Sequence, residues 1–222
     1  MLDNNPFLQL ADLVPSLLIK IFVIIMFVLV ILGTLIDIIH KQNVKYFFLN
    51  AKKAKKSASK VLNTSEKISV ISKTIATDIL TTSELGAGQR RIAHLLGMYG
   101  TIIFWITSVI MIFGFTNNLS NTPYLYTVFW HLGAIMTCVG GLWFWFFLRV
   151  DVYSEAYPWY RLIRADLFVL SLTITAAFGL MWSLFQTAEI FLLEILFLIL
   201  YVLSNIILFG GVYWSKFAHM FY

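Results

Sequence analysis

The chain has 222 residues, 60% of them hydrophobic and 12% charged, with a mean hydropathy of +0.85, a balance that excludes an ordinary soluble globule. A single cysteine, Cys138, excludes an internal disulfide, a self-held iron–sulfur cluster and a cysteine-based zinc site. The net charge of +5 is concentrated in one stretch of the chain, and its position orients everything else.

The N-terminal sixteen residues, MLDNNPFLQLADLVPS, carry Asp3 and Asp12 and no lysine or arginine. The apolar run after them is too long for a cleaved signal peptide, so the first span is expected to stay as an anchor. Crossing a hydrocarbon core of about 30 Å takes about 20 residues at 1.5 Å each. Five stretches qualify, at 17–39, 93–115, 127–148, 165–187 and 190–212. The expected fold is therefore an all-α membrane protein of five transmembrane helices. It divides into an N-terminal tail and first span (1–39), a basic segment (40–92) and a four-helix bundle with its tail (93–222).

Residues 40–92 hold eleven lysines and arginines against three acidic residues, a balance of +8. The loop between the third and fourth spans adds Arg149, Arg161 and Arg164, whereas the N-terminal tail and the 116–126 loop have no basic residue. By the positive-inside rule the N-terminus lies outside and the C-terminus in the cytoplasm. Within the basic segment Ile68, Ile71, Ile75 and Ile79 recur at helical spacing, which predicts a long amphipathic cytoplasmic segment. Before it, Tyr46, Phe47 and Phe48 adjoin a cluster formed by Lys52, Lys53, Lys55, Lys56 and Lys60. Such a cluster suits anionic headgroups of the lipid bilayer, at about 1 kcal/mol per lysine, or docking of a soluble partner with an acidic face. No nucleic-acid partner is expected.

Charges in the spans sit near their ends, where they cost least. Lys20 lies about one turn inside the first span, and Glu194 opens the fifth, so a structural Lys20–Glu194 ion pair is expected. Asp166 falls in the first turn of the fourth span, where a carboxylate favours the helix dipole. All four prolines lie outside the spans and no repeat relates the two halves, which weighs against a carrier built on broken helices. Small residues on spans two and three, Gly97, Gly100, Gly133, Thr137 and Gly141, predict close backbone packing.

A bis-histidine haem b needs two imidazoles at one depth. His94 starts the second span and His131 starts the third from the other face, about 20 Å apart along the normal. They cannot share an iron. His94 with His219 remains the one candidate haem pair, disfavoured because His219 lies seven residues beyond the last span. A neutral interfacial histidine can instead hydrogen-bond a quinone carbonyl. The candidate quinone-binding group is accordingly His94, Arg149, Asp166 and Trp145, in a slot lined by aromatics at the cytoplasmic side. Most of those aromatics also suit interface anchoring.

The runs RRIAHLLGMYG, WHLGAIMTCVGGLWFWFFLRVDV, RADLFVLSL and GGVYWSKFAHMFY resemble the AprM-type membrane subunits associated with dissimilatory adenylylsulfate reductase. More distantly, the architecture is similar to membrane subunits of respiratory nitrate reductase and of quinone-interacting oxidoreductase complexes. The likeness covers about residues 90–222; the first span and basic loop match only in layout. It implies a non-catalytic anchor in the bacterial cytoplasmic membrane that carries electrons between a soluble flavin and iron–sulfur enzyme and the quinone pool. That enzyme interconverts adenylylsulfate with sulfite and AMP. The dihaem families place paired histidines on their helices and this chain does not, leaving direct quinone contact or simple tethering. A small transporter or channel, and a purely structural tether, are the competing readings.

Overall fold

The computed structural model describes residues 5–41, 43–57, 63–86, 88–116, 122–163 and 166–211. Helix α1 (Pro6–Leu13) begins where the Asn5 side chain accepts the Phe7 amide and Pro6 presets the first turn; Pro15 then separates it from α2 (Ser16–Lys41). Two basic-segment helices follow, α3 (Asn43–Ser57) and α4 (Thr64–Thr74). The latter opens on a reciprocal capping box between Asn63 and Glu66 and runs on into a π-helical turn, Ile75–Leu80. The remaining helices are α5 (Gln89–Phe115), α6 (Tyr124–Trp143) with a π-helical turn at Phe144–Leu148, the short α7 (Val150–Tyr153), α8 (Leu167–Thr187) and α9 (Phe191–Gly210).

Five helices are long and apolar enough to cross a membrane: Ser16–His40, Gln89–Phe115, Tyr124–Leu148, Leu167–Thr187 and Phe191–Gly210. This is the architecture of a multi-pass membrane protein, and its spans lie within four residues of the sequence-based limits at every end. The α2–α3 junction, the start of α5, the end of α6 with α7, and the start of α8 fall at one end of the bundle, called here the basic end. Helix α1 lies at the opposite end.

Small residues decide how closely α5 and α6 approach. A Cβ placed on Gly100 would lie 2.6 Å from the Thr137 amide nitrogen, and one on Gly133 would lie 2.6 Å from that of Phe104. Lower down, Gly140 meets the backbone of Ala93 and Gly97. Between helices in lipid, where burial of apolar surface gives little drive, such van der Waals contact between backbones is what holds a pair together. Gly141 faces the other way and receives the Thr173 side chain of α8. The expected small-residue stripe on α6 is thus split between two neighbours. Helices α8 and α9 form an antiparallel hairpin through a tight turn in which Glu189 takes a positive φ of 57°.

Helix α2 is the outlier. It leans on α5 and α9 along one stripe that includes Ile19, Val23, Met26 and Val30, and most of its remaining surface is uncovered. Only about a tenth of its most apolar window is buried within the protein.

Candidate functional site

Three arrangements could carry function: an ion-pair knot at the basic end, a polar core around His131, and a cavity behind α2.

The knot forms because α6 does not finish as a regular helix. In the turn Phe144–Leu148 the chain widens so that the Arg149 amide donates to Phe144 O at 3.0 Å, and Arg149 itself is extended (φ −61°, ψ 133°). Its guanidinium then points into the protein. Nη1 donates to Asp166 Oδ2 at 2.7 Å, Nη2 donates to the Trp159 carbonyl at 3.1 Å, and the group lies 4.2 Å above the Trp145 ring. The two charged side chains are only 3% and 7% exposed. Asp166 Oδ2 also accepts the Ile163 amide at 3.2 Å, which closes the loop before α8. Asp166 does occupy the cap position of α8, but its side chain makes no capping bond to that helix; it serves Arg149 instead.

Three of the four quinone candidates, Arg149, Asp166 and Trp145, therefore come together as a closed structural latch. Both terminal nitrogens of Arg149 are engaged within the protein, and its Nε is buried without a partner among the described residues. His94 is not among them. Its side chain is exposed on α5, one residue round from Ala93, which faces Gly140. No hydrogen bond, ion pair or ring contact joins it to Arg149.

His131 is 1% exposed and both ring nitrogens are engaged. Nδ1 lies 2.7 Å from Thr127 O, and a carbonyl only accepts, so Nδ1 carries the proton. Nε2 is then the acceptor for the Ser183 hydroxyl at 2.8 Å. The imidazole is a neutral strut between α6 and α8. Beside it the Trp130 indole donates to Ser108 Oγ at 2.8 Å, tying α6 to α5. Neither His131, with no free nitrogen, nor the exposed His94 faces a second imidazole among the described residues, so a bis-histidine haem does not fit them. His219, the partner considered for His94, lies outside the described residues. Among those residues no cluster of histidine, cysteine, aspartate and glutamate converges as metal ligands.

At the far end, α1 acts as a plug, although the sequence read as a tail there. Phe7 is wedged edge-on between the Trp130 and Trp182 rings, with centroids at 5.9 and 5.5 Å. Gln186 Nε2 holds the plug through Pro6 O at 3.3 Å and reaches Glu194 Oε1 at 3.4 Å. Glu194 is thus served by Gln186 on the adjoining helix of its own hairpin. No ion pair joins it to Lys20, contrary to expectation, because α2 stands off from α9 and contacts it along another stripe.

That standoff leaves a cavity of about 440 Å³ between α2, α5 and α9, closed at the plug end by Phe7 and Leu10. Its wall is aliphatic and aromatic, including Phe22, Trp105 and Phe209, with the last two rings 5.1 Å apart. Three polar side chains, Ser108, Tyr201 and Asn205, line it as well. The Tyr201 phenol has Ser108 and Asn205 as its polar neighbours. Ser108 donates to Phe104 O at 2.7 Å, and Asn205 Nδ2 donates to Tyr201 O at 2.8 Å. Chemically this is an apolar slot with hydrogen-bond donors on one wall. Sequence reasoning missed it, since Ser108 lies on one span and Tyr201 and Asn205 on another far along the chain.

The lysine cluster is placed as expected on one helix: Lys52, Lys53, Lys55 and Lys56 are exposed on α3, while Lys60 lies outside the described residues. No protein-family model, curated protein or solved structure matches the chain.

Proposed function

We propose that this chain is the membrane anchor and quinone-binding subunit of a redox complex, linking a cytoplasmic flavin and iron–sulfur enzyme to the quinone pool. The observation that carries the reading is the slot behind α2. It is large enough for a quinone ring with the first part of its tail, lies against the least-packed helix, and offers Tyr201 and Asn205 as donors to a carbonyl oxygen. The resemblance of residues 90–222 to AprM-type subunits supports adenylylsulfate reductase as the enzyme in question. Quinone binding moves in this reading from the His94–Arg149 neighbourhood to the slot, because both terminal nitrogens of the guanidinium already bond Asp166 and Trp159 and its remaining N–H is buried.

The enzyme would dock on α4 and the π-helical turn that continues it, where Ile68, Ile71 and Ile75 are 59%, 58% and 44% exposed along one helical face. Within this reading the chain does no chemistry of its own. When bound, the quinone supplies the redox step; the chain positions it, excludes water and anchors the enzyme.

The test has two arms. A photoreactive quinone analogue should label the purified chain at α2, α5 or α9, excess quinone should compete that labelling away, and Asn205→Leu should lower it several-fold. A tagged chain in mild detergent should also retain a flavin and iron–sulfur protein. Labelling that quinone does not compete away, together with a partner-free chain, would leave the exporter or tether reading in its place.

A further inference from the structure

We infer that α3 is an in-plane membrane helix that binds the anionic headgroup surface of the bilayer crossed by α2. The argument starts from where the chain is. Helix α2 ends at Lys41 and α3 begins at Asn43, so a single residue separates a membrane span from the first turn of α3. One residue covers at most about 3.6 Å, so that first turn lies at headgroup level.

The side chains carried there match that level. On a helical projection Phe47, Phe48, Ala51 and Ala54 share one face, which Lys55 also enters, while Lys45, Lys52, Lys53 and Lys56 lie on the other together with Leu49. Tyr46, Phe47 and Phe48 are 58%, 68% and 66% exposed, and the two phenylalanine rings meet edge to face at 5.6 Å. Among the described elements, α3 packs appreciably against the end of α2 alone. It contains no acidic residue, and Lys55 and Lys56 close its last turn. Rings that reach the acyl boundary below lysines that reach phosphates are the chemistry of an interfacial helix. A protein partner would have to cover the same rings while leaving the span junction free, and nothing in the position of α3 calls for one.

The inference needs only that α2 crosses the bilayer; it does not depend on a quinone or on a redox partner. It is tested with the whole chain, without any partner, reconstituted in nanodiscs of phosphatidylcholine alone or with phosphatidylglycerol. A spin label on Ala51→Cys in a Cys138→Ala background reports depth, through its collisions with oxygen against a water-soluble nickel complex. Each lysine is worth roughly fivefold in partitioning to an anionic surface, so the label should become at least about tenfold better shielded from nickel in anionic discs. Replacing Lys52, Lys53, Lys55 and Lys56 by glutamine should abolish that gain, and these exposed positions leave the fold intact. A second site, Phe47→Cys, should follow Ala51. A label equally open to nickel in both discs would overturn the inference, as would shielding indifferent to the lysines. So would shielding that arises only when a soluble protein is added.

Discussion

Arg149 shows how one residue can be read correctly by location and wrongly by role. An arginine beside aromatics at the membrane face suits ligand binding, but here its charge is neutralised in place by Asp166, with both side chains under a tenth exposed. Removing one partner strands the other charge, which costs about 3–5 kcal/mol, whereas replacing both with apolar groups of similar volume is often near neutral. Asp166→Ala should therefore lower the unfolding free energy in detergent by about 3 kcal/mol. The double variant Arg149→Met/Asp166→Leu should recover most of that loss. Equal losses in single and double variants would mean that Trp145 and Trp159, not the ion pair, hold the loop. His131 teaches the same lesson: saturated by Thr127 and Ser183, it has a structural task.

At the scale of elements, the contact of α5 with α6 depends on which glycines face the partner, a distinction the sequence pattern does not make. Gly133→Ala would drive a methyl group into the Phe104 backbone, and Gly100→Ala into that of Thr137. Backbone cannot swing aside like a side chain, so each should cost about 1–3 kcal/mol, read as a fall in thermal midpoint. Gly97→Ala is the control. A Cβ there meets nothing within 4 Å, although the backbone of Gly97 is itself approached by Gly140. With no clash, the gain in helix propensity of up to about 1 kcal/mol should leave it neutral or slightly stabilised. If Gly97→Ala were as damaging as Gly133→Ala, the α5–α6 rotation described here would be wrong. The π-helical turn at Phe144–Leu148 has a comparable logic: one extra residue in the last turn of α6 turns Arg149 towards Asp166.

For the whole molecule, the open question is which side of the membrane holds the basic end. The lysine and arginine distribution predicts that residues 40–92 face the cytoplasm. A single cysteine at Ser69, in a Cys138→Ala background, should react with a membrane-impermeant maleimide only after the cells are permeabilised, and one at Thr122 should react in intact cells. The reverse pattern would remove the docking surface of α4 from the reach of any cytoplasmic enzyme. Helices α3 and α4 stand at one end of the bundle, while the slot behind α2 extends towards the plugged end.

What the sequence by itself determined was everything set by length and by bulk polarity. The five spans, the helical basic segment with its isoleucine face, and the need for close packing around the small residues all follow from runs of apolar residues and their spacing. Rotation and lateral order of the spans came only from the tertiary structure. A helix in lipid is apolar on every face, so hydrophobic periodicity barely marks the side that turns inward. Steric fit at Gly100, Gly133 and Gly141 marks it instead. In the resulting arrangement Ser183 stands opposite His131, Lys20 lies away from Glu194, Arg149 meets Asp166, and α2 stands far enough from α5 and α9 to open a slot no single span encodes.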